Sequence, residues 1–113
     1  MKIQISKLAL CVWVDKKKVY TWYLGYIKEV ENDTYKVDHL KRTIEKSDSN
    51  WKYPSHKDIQ PVFSIQIIEI EIDGEWDMTT VSRKRQFHLR SSKAVSYAFN
   101  QHMSALGVTL LVN

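Results

Sequence analysis

Five side chains, Trp13, Tyr23, His39, Trp51 and Tyr53, could line a pocket at one end of a small barrel and hold a cation against their aromatic faces. The face of an aromatic ring is electronegative. A methylated ammonium or a guanidinium seated over it gains about 0.5 to 2 kcal/mol, the larger values where water is excluded. Gathered at one end of a small barrel, the five would form a cage for such a group. The competing reading is structural, because the interior of a small barrel must be filled with bulky residues and Trp13 and Tyr23 would serve as its plug.

Three basic clusters offer a different chemistry. Lys16, Lys17 and Lys18, then Lys41 and Arg42, then Arg83, Lys84 and Arg85 fall at expected turns or strand ends. Together with an exposed aromatic such as Trp51 they could hold phosphates and stack bases of DNA or RNA. As plain solvated loops they would instead keep strand edges from pairing with other chains. A net charge of +4 and a pI near 9.2 favour anionic partners, although many basic proteins bind no nucleic acid.

Other chemistries find little support. The histidines at 39, 56, 88 and 102 and the single cysteine, Cys11, match no zinc-ligand spacing, and His102 falls on an apolar helical face where a packed histidine is the ordinary case. Glu69 and Glu71 share the solvent side of one stretch, which needs no catalytic explanation, and no nucleophile motif, phosphate loop or acid–base pair is present. The chain is therefore expected to be no enzyme and to use neither metal nor cofactor. One cysteine precludes an internal disulfide and is compatible with a reducing compartment. Leu8 to Val14 faintly imitates a signal peptide, but it is too short to span a bilayer and runs into Asp15-Lys16-Lys17-Lys18 without a small-residue cleavage site. No membrane association is expected.

These residues must be positioned by strands. The 113 residues suit one domain. Its centre is Val19 to Val30, in which Tyr23, Gly25 and Ile27 point to one face and Trp22, Leu24, Tyr26 and Val30 to the other. Both faces carry large apolar groups, so both must be covered. Leu8 to Val14 precedes it as a strand, and Thr34 to Leu40 follows as another across an Asn32-Asp33 turn. Asn32-Asp33-Thr34 also fits a glycosylation sequon, but a turn is what that position requires.

Lys41 to Asn50 reads as a mobile polar loop, Trp51 to Pro54 as a short strand ended by the proline, and Ser55 to Pro61 as a connection. The apolar phase changes between Ile65/Ile67 and Ile68/Ile70/Ile72, which predicts a bulge, a bend or an element boundary near Ile67-Ile68. Asp73-Gly74 is a turn signal, and Phe87 and Leu89 mark a strand. Ser91 or Ser92 would cap a helix carrying Val95, Ala98, Phe99, His102, Met103 and Leu106 at helical spacing, with Gly107 as its stop. Val108 to Val112 reads as a last strand or an apolar tail.

This order of elements resembles a Tudor-type, SH3-like barrel over residues 8 to 72. Trp22-Tyr23-Leu24-Gly25-Tyr26-Ile27 is similar to the Tudor strand in which an aromatic, a small residue and an aliphatic alternate inward, and Cys11-Val12-Trp13 resembles the preceding strand, which in that family often ends in a cage aromatic. Tyr35 to His39 falls at the family's third strand, and Asp58 to Ile67 resembles its closing element. The turn after the third strand departs from the family. Tudor domains that read methylated arginine carry an Asp-Tyr-Gly-Asn-like turn there, whereas this chain has Asp38-His39-Leu40-Lys41, leaving Trp51 or Tyr53 to supply a second cage aromatic. Gly74-Glu75-Trp76-Asp77 followed by a basic strand is also similar to small domains of proteins derived from invertebrate mobile elements, which points to nuclear partners.

The resemblance implies a mainly β fold, a small antiparallel SH3-like barrel at 8–72 followed by a β/α extension with one helix at 73–113 that packs on it. It also implies an intracellular, nuclear or chromatin-associated module that binds a protein segment, methylated lysine among the candidates, at the aromatic barrel end. The alternative is a nucleic-acid-binding barrel that uses the basic loops. A third class, an assembly part that self-associates through the helix and Val108 to Val112, is also compatible with the sequence.

Overall fold

A computed structural model describes residues 7–43, 47–77 and 84–107. The fold is mainly β, with two antiparallel sheets and one C-terminal helix. Strand β1 (Leu8–Val14) turns back into β2 (Tyr20–Glu31), which turns again into β3 (Thr34–His39). Both turns are built from side chains suited to them. The Asp15 carboxylate accepts the N–H groups of Lys17 and Val19 at 2.8 and 2.9 Å, which fixes the lysine turn and holds Lys18 at φ 61°. Asn32, at φ 56°, takes the left-handed position of the second turn, a conformation that asparagine tolerates better than most residues.

The first sheet runs β6–β3–β2–β1–β7, where β6 is Ile59–Phe63 and β7 is Ile67–Ile68. Its two edge strands are joined by one 3-10 turn, Ser64–Gln66. Such a turn advances about 8 Å between its flanking residues, whereas the edges of a flat five-stranded sheet lie about 19 Å apart. The sheet is therefore curled until its edges nearly meet. No ladder joins β6 to β7 among the described residues. A register shift between Ile27 and Glu29 in β2 adds local twist to that curl. It also carries Val30 out to an exposed position on the β2–β3 ribbon, where a covered one was expected.

Inside the curl lies a small core of Ala9, Cys11, Ile27, Val37, Val62 and Ile67. Gly25 belongs to this face, and a Cβ there would fall within the van der Waals envelope of the Val37 Cγ1 methyl. The missing side chain is thus a packing requirement.

The outer face of β2 is covered by the second sheet and the helix. That sheet runs β4–β5–β9–β8, with β4 Lys41–Arg42, β5 Asn50–Lys52, β8 Gly74–Trp76 and β9 Gln86–Leu89. Leu10, Val12, Trp22, Leu24, Leu40 and Ile68 from the first sheet's side pack in one cluster with Trp51, Phe87 and Leu89 of the second and with Val95, Phe99 and Met103 of helix α1 (Ser92–Ala105). These three helical residues recur four apart, so they form one stripe. Ser91 occupies the helix N-cap without a side-chain cap bond, contrary to expectation, so packing and not capping secures this helix. Gly107, at φ 75°, ends it as expected.

The sequence reading fails at two further places. Lys41 to Asn50 is not simply a loop: β3 passes through Leu40, whose N–H still bonds the Leu24 carbonyl at 3.0 Å, directly into β4 and the second sheet. The connection expected at Ser55 to Pro61 holds most of β6, where Pro61 is accepted because β6 is an edge strand. Val108 to Val112 lies outside the described residues.

Replacing Gly25 with alanine should lower stability by about 1 to 3 kcal/mol through overpacking. Adding Val37→Ala in the same chain should recover part of that loss, since it removes the colliding methyl. Urea denaturation of the single and double variants measures both, and an unchanged midpoint for Gly25→Ala would contradict the packing described here.

Candidate functional site

Curling of the first sheet places Tyr23 and His39 side by side on its inner face. Gly25 sits opposite His39 in the β2–β3 ladder, and the Tyr23 ring passes 3.5 Å from where a Gly25 Cβ would be. With nothing in its way, the ring leans along the strand over the glycine. Its centroid comes within 4.5 Å of the His39 ring at an interplanar angle of 39°. The Tyr23 hydroxyl lies 3.2 Å from His39 Nε2, and His39 Nδ1 lies 3.7 Å from the Asp58 carboxylate. Asp58 immediately precedes β6, and its carbonyl accepts the His39 N–H at 2.9 Å. With the neutral ring's proton on Nδ1, facing Asp58, Nε2 accepts from the tyrosine hydroxyl.

Behind this pair, the Cys11 thiol contacts the Tyr23 hydroxyl. Burial pushes the thiol up to about 12, so it stays protonated near neutral pH and is a poor nucleophile. Burial raises the Tyr23 hydroxyl as well, with the neighbouring Cys11 adding to the effect. His39 is lowered from its ordinary value, chiefly by burial, against the opposing pull of Asp58 and Asp38. The arrangement is a chain of neutral polar groups that ends in one half-exposed carboxylate.

Trp13 joins the same face from β1. In the β1–β2 ladder Cys11 faces Tyr23 and Trp13 faces Thr21, so Trp13 and Tyr23 are diagonal neighbours. Trp13 is 47% exposed, so it is not a buried plug. Trp13, Tyr23, His39 and Asp58 thus form a corner with two accessible attractions for a cation, an indole face and a carboxylate.

Trp51 and Tyr53 lie elsewhere. Trp51, 1% exposed, packs on Trp22 across the main core with centroids 5.5 Å apart, and its indole N–H donates to the Asp48 carbonyl at 2.8 Å. Tyr53 stacks on Trp76 at 5.7 Å, and Trp76 meets Phe87 edge-on at 5.3 Å. The five expected cage residues are therefore divided between two faces.

The basic clusters divide as well. Arg42 lies over the rings of Trp51 and Trp22, at 4.6 and 5.1 Å, and its Nε bonds the Asp48 carboxylate at 2.6 Å. Its guanidinium is engaged in holding the second sheet to the first. Lys16, Lys17 and Lys18 stay exposed on the β1–β2 turn, Lys41 is exposed on β4, and Lys84 and Arg85 lead into β9. Arg83 lies outside the described residues.

Two residues of interest were not singled out from sequence. Asp58 becomes visible only through the pairing of β6 with β3, and Lys52 through its position opposite Lys41 in the β4–β5 ladder. Among the described residues, no three of His, Cys, Asp and Glu converge in a way that could hold a metal, and no helix is long and apolar enough to cross a membrane. Comparison with protein-family models, characterised proteins and solved structures finds no match.

Because the folded His39 is depressed below its usual value near 6.5, the unfolded chain binds the extra proton first as pH falls. His39 should therefore leave stability undiminished above about pH 6.5 and erode it below that value. Urea denaturation at pH 7.5 and 5.5 should show a larger loss for the wild type than for His39→Gln. Equal losses would contradict this assignment.

Proposed function

We propose that this chain is a non-enzymatic binding module that holds a cationic segment of another protein at the Trp13–Tyr23–His39–Asp58 corner, with methylated lysine as the ligand class. The observation that carries the reading is the Tyr23–His39 ring pair tied to the Asp58 carboxylate, with the half-exposed Trp13 indole on the same sheet face. Aromatic faces attract the ammonium while its methyl groups shed water against them, and the carboxylate adds a Coulombic attraction at the rim. A carboxylate on one side and an indole on the other leave the compact ammonium room that a planar guanidinium would need filled by further rings. The sequence Asp38-His39-Leu40-Lys41, in place of the arginine-reading turn, argues the same way.

The parent architecture in this reading is an SH3-like barrel of the Tudor type. The strand order β6–β3–β2–β1–β7, and the single 3-10 turn that brings the two edge strands toward each other, support it. The β4–β5 hairpin is then an insertion between the third and fourth barrel strands, and β8, β9 and α1 an extension within the same domain. A nuclear, chromatin-associated setting follows from the ligand class, since methylated lysine tails are abundant there.

Titration of the full chain with dimethyl- and trimethyl-lysine peptides, followed on the tryptophan indole NMR signals, tests the proposal. The Trp13 signal should move, the buried Trp22 and Trp51 signals should stay, and Trp13→Ala should abolish binding while the fold survives. Failure of every methylated-lysine peptide to shift Trp13 would overturn it.

A further inference from the structure

The outward face of the second sheet carries charge that the protein does not balance. Several of its other cations are engaged: Lys36 lies 2.9 Å from Glu29 and 3.2 Å from Glu31, Arg42 lies against Asp48, Arg90, just past β9, bridges Asp73 and Glu75, and Lys28 of β2 lies 5.8 Å over the Tyr26 ring. Lys41 and Lys52 differ. They stand directly opposite each other in the β4–β5 ladder, and among the described residues neither has an ion-pair partner. Like charges in that position repel and destabilise a sheet. The next residue along the rung is Gln86 of β9, a neutral hydrogen-bonding group, and only at the far edge does Asp77 contribute a carboxylate.

Two residues along β5 on the same face, Asn50 bonds His88 at 3.0 Å, adding an amide and an imidazole. The alternation that turns these residues outward turns Trp51, Phe87 and Leu89 into the core. The exposed face is consequently basic and amide-rich at its β4–β5 end, with Glu75, opposite His88 and bonded to Arg90, toward the β8 edge, and no phenyl, phenol or indole ring among its outward strand residues.

From this face we infer that the protein binds double-helical nucleic acid through its phosphate backbone, at a site separate from the aromatic corner. Paired ammonium groups with neighbouring amides suit phosphate oxygens, and bringing a phosphate between Lys41 and Lys52 relieves their repulsion. The lack of aromatic platforms selects against single strands, whose binding relies on base stacking, and favours a duplex, whose bases are already stacked inside. Contact is to the backbone alone, so the binding is independent of sequence and strongly dependent on salt.

Fluorescence anisotropy of the full chain with a labelled 20-base-pair duplex, its single strand and polyglutamate, from 50 to 300 mM NaCl, tests this. The duplex should bind more tightly than the other two. Lys41→Glu and Lys52→Gln should each weaken it, the charge reversal by about tenfold at the lowest salt, and reduce the slope of log affinity against log salt by about 0.9 per lost phosphate contact. Lys17→Glu, with the same change in net charge on the opposite sheet, should have under a fifth of that effect. Lys41→Glu should also raise the thermal midpoint by placing a carboxylate opposite Lys52, so weaker binding cannot be ascribed to unfolding. Absence of duplex binding at 50 mM salt, equal weakening by Lys17→Glu, or tighter binding of the single strand or polyglutamate would each overturn the inference. Lysine-peptide binding at Trp13 should be unchanged in Lys41→Glu, so the two sites succeed or fail independently.

Discussion

Strand β2 is apolar on both faces, and everything else in the structure depends on covering it twice. On one side Ile27 and the space above Gly25 are closed by the curl of the strand's own sheet, with Val37, Val62 and Ile67 brought round by the short 3-10 turn. On the other, Trp22 and Leu24 require material that a five-stranded sheet does not have. The β4–β5 hairpin, β8, β9 and α1 supply it, and Trp51 packed on Trp22 is the contact at which the two sheets meet. Arg42 completes that contact by laying its guanidinium over both indoles while Asp48 neutralises its charge. Such an arginine contributes through packing as much as through charge.

The division of the aromatic residues follows from this arrangement. Residues at odd positions of β2 from 23 to 27 look into the curl and those at even positions look toward the helix, so Tyr23 and Trp22 cannot serve one site despite being adjacent in sequence. Trp51 pairs with the even face and was never available to a site built on Tyr23. What remains beside Tyr23 is His39, set by the β3 register, Asp58, set by the β6 register, and Trp13, left at the open end of β1. The polar chain from Cys11 through Tyr23 to His39 keeps the thiol and the hydroxyl in their neutral forms and orients the imidazole beside the Asp58 carboxylate.

Much of the first sheet was legible in the sequence, because its strands alternate or run apolar between strong turn signals. Leu8–Val14 falls where the apolar run placed it, the expected Val19–Val30 lies one residue early at both ends of β2, and the expected Thr34–Leu40 runs one residue past the end of β3. Three features were not legible, each for a physical reason. Strand β4 consists of a lysine and an arginine, and nothing in residue type announces that Arg42 is half-buried by stacking on two indoles. Strand β6 is hidden by Pro61, which normally argues against a strand and is tolerated only at a sheet edge that sequence cannot identify. The phase change near Ile67 was read correctly as a boundary, but the break is the 3-10 turn just before it, and Ile70 and Ile72 pack on the core without belonging to a strand. Site residues were hardest of all, since Asp58 and Lys52 acquire meaning only from the strands they face.

The central claim is that the second sheet and the helix complete a core shared with β2 and are not an appendage to it. Native-state hydrogen exchange across a urea series addresses it most directly, comparing the amides of Leu24 in β2, Phe87 in β9 and Phe99 in α1. The shared core predicts that all three converge on one opening free energy equal to that of global unfolding. Exchange of Phe87 and Phe99 through a separate opening of lower energy, with Leu24 still protected, would contradict it.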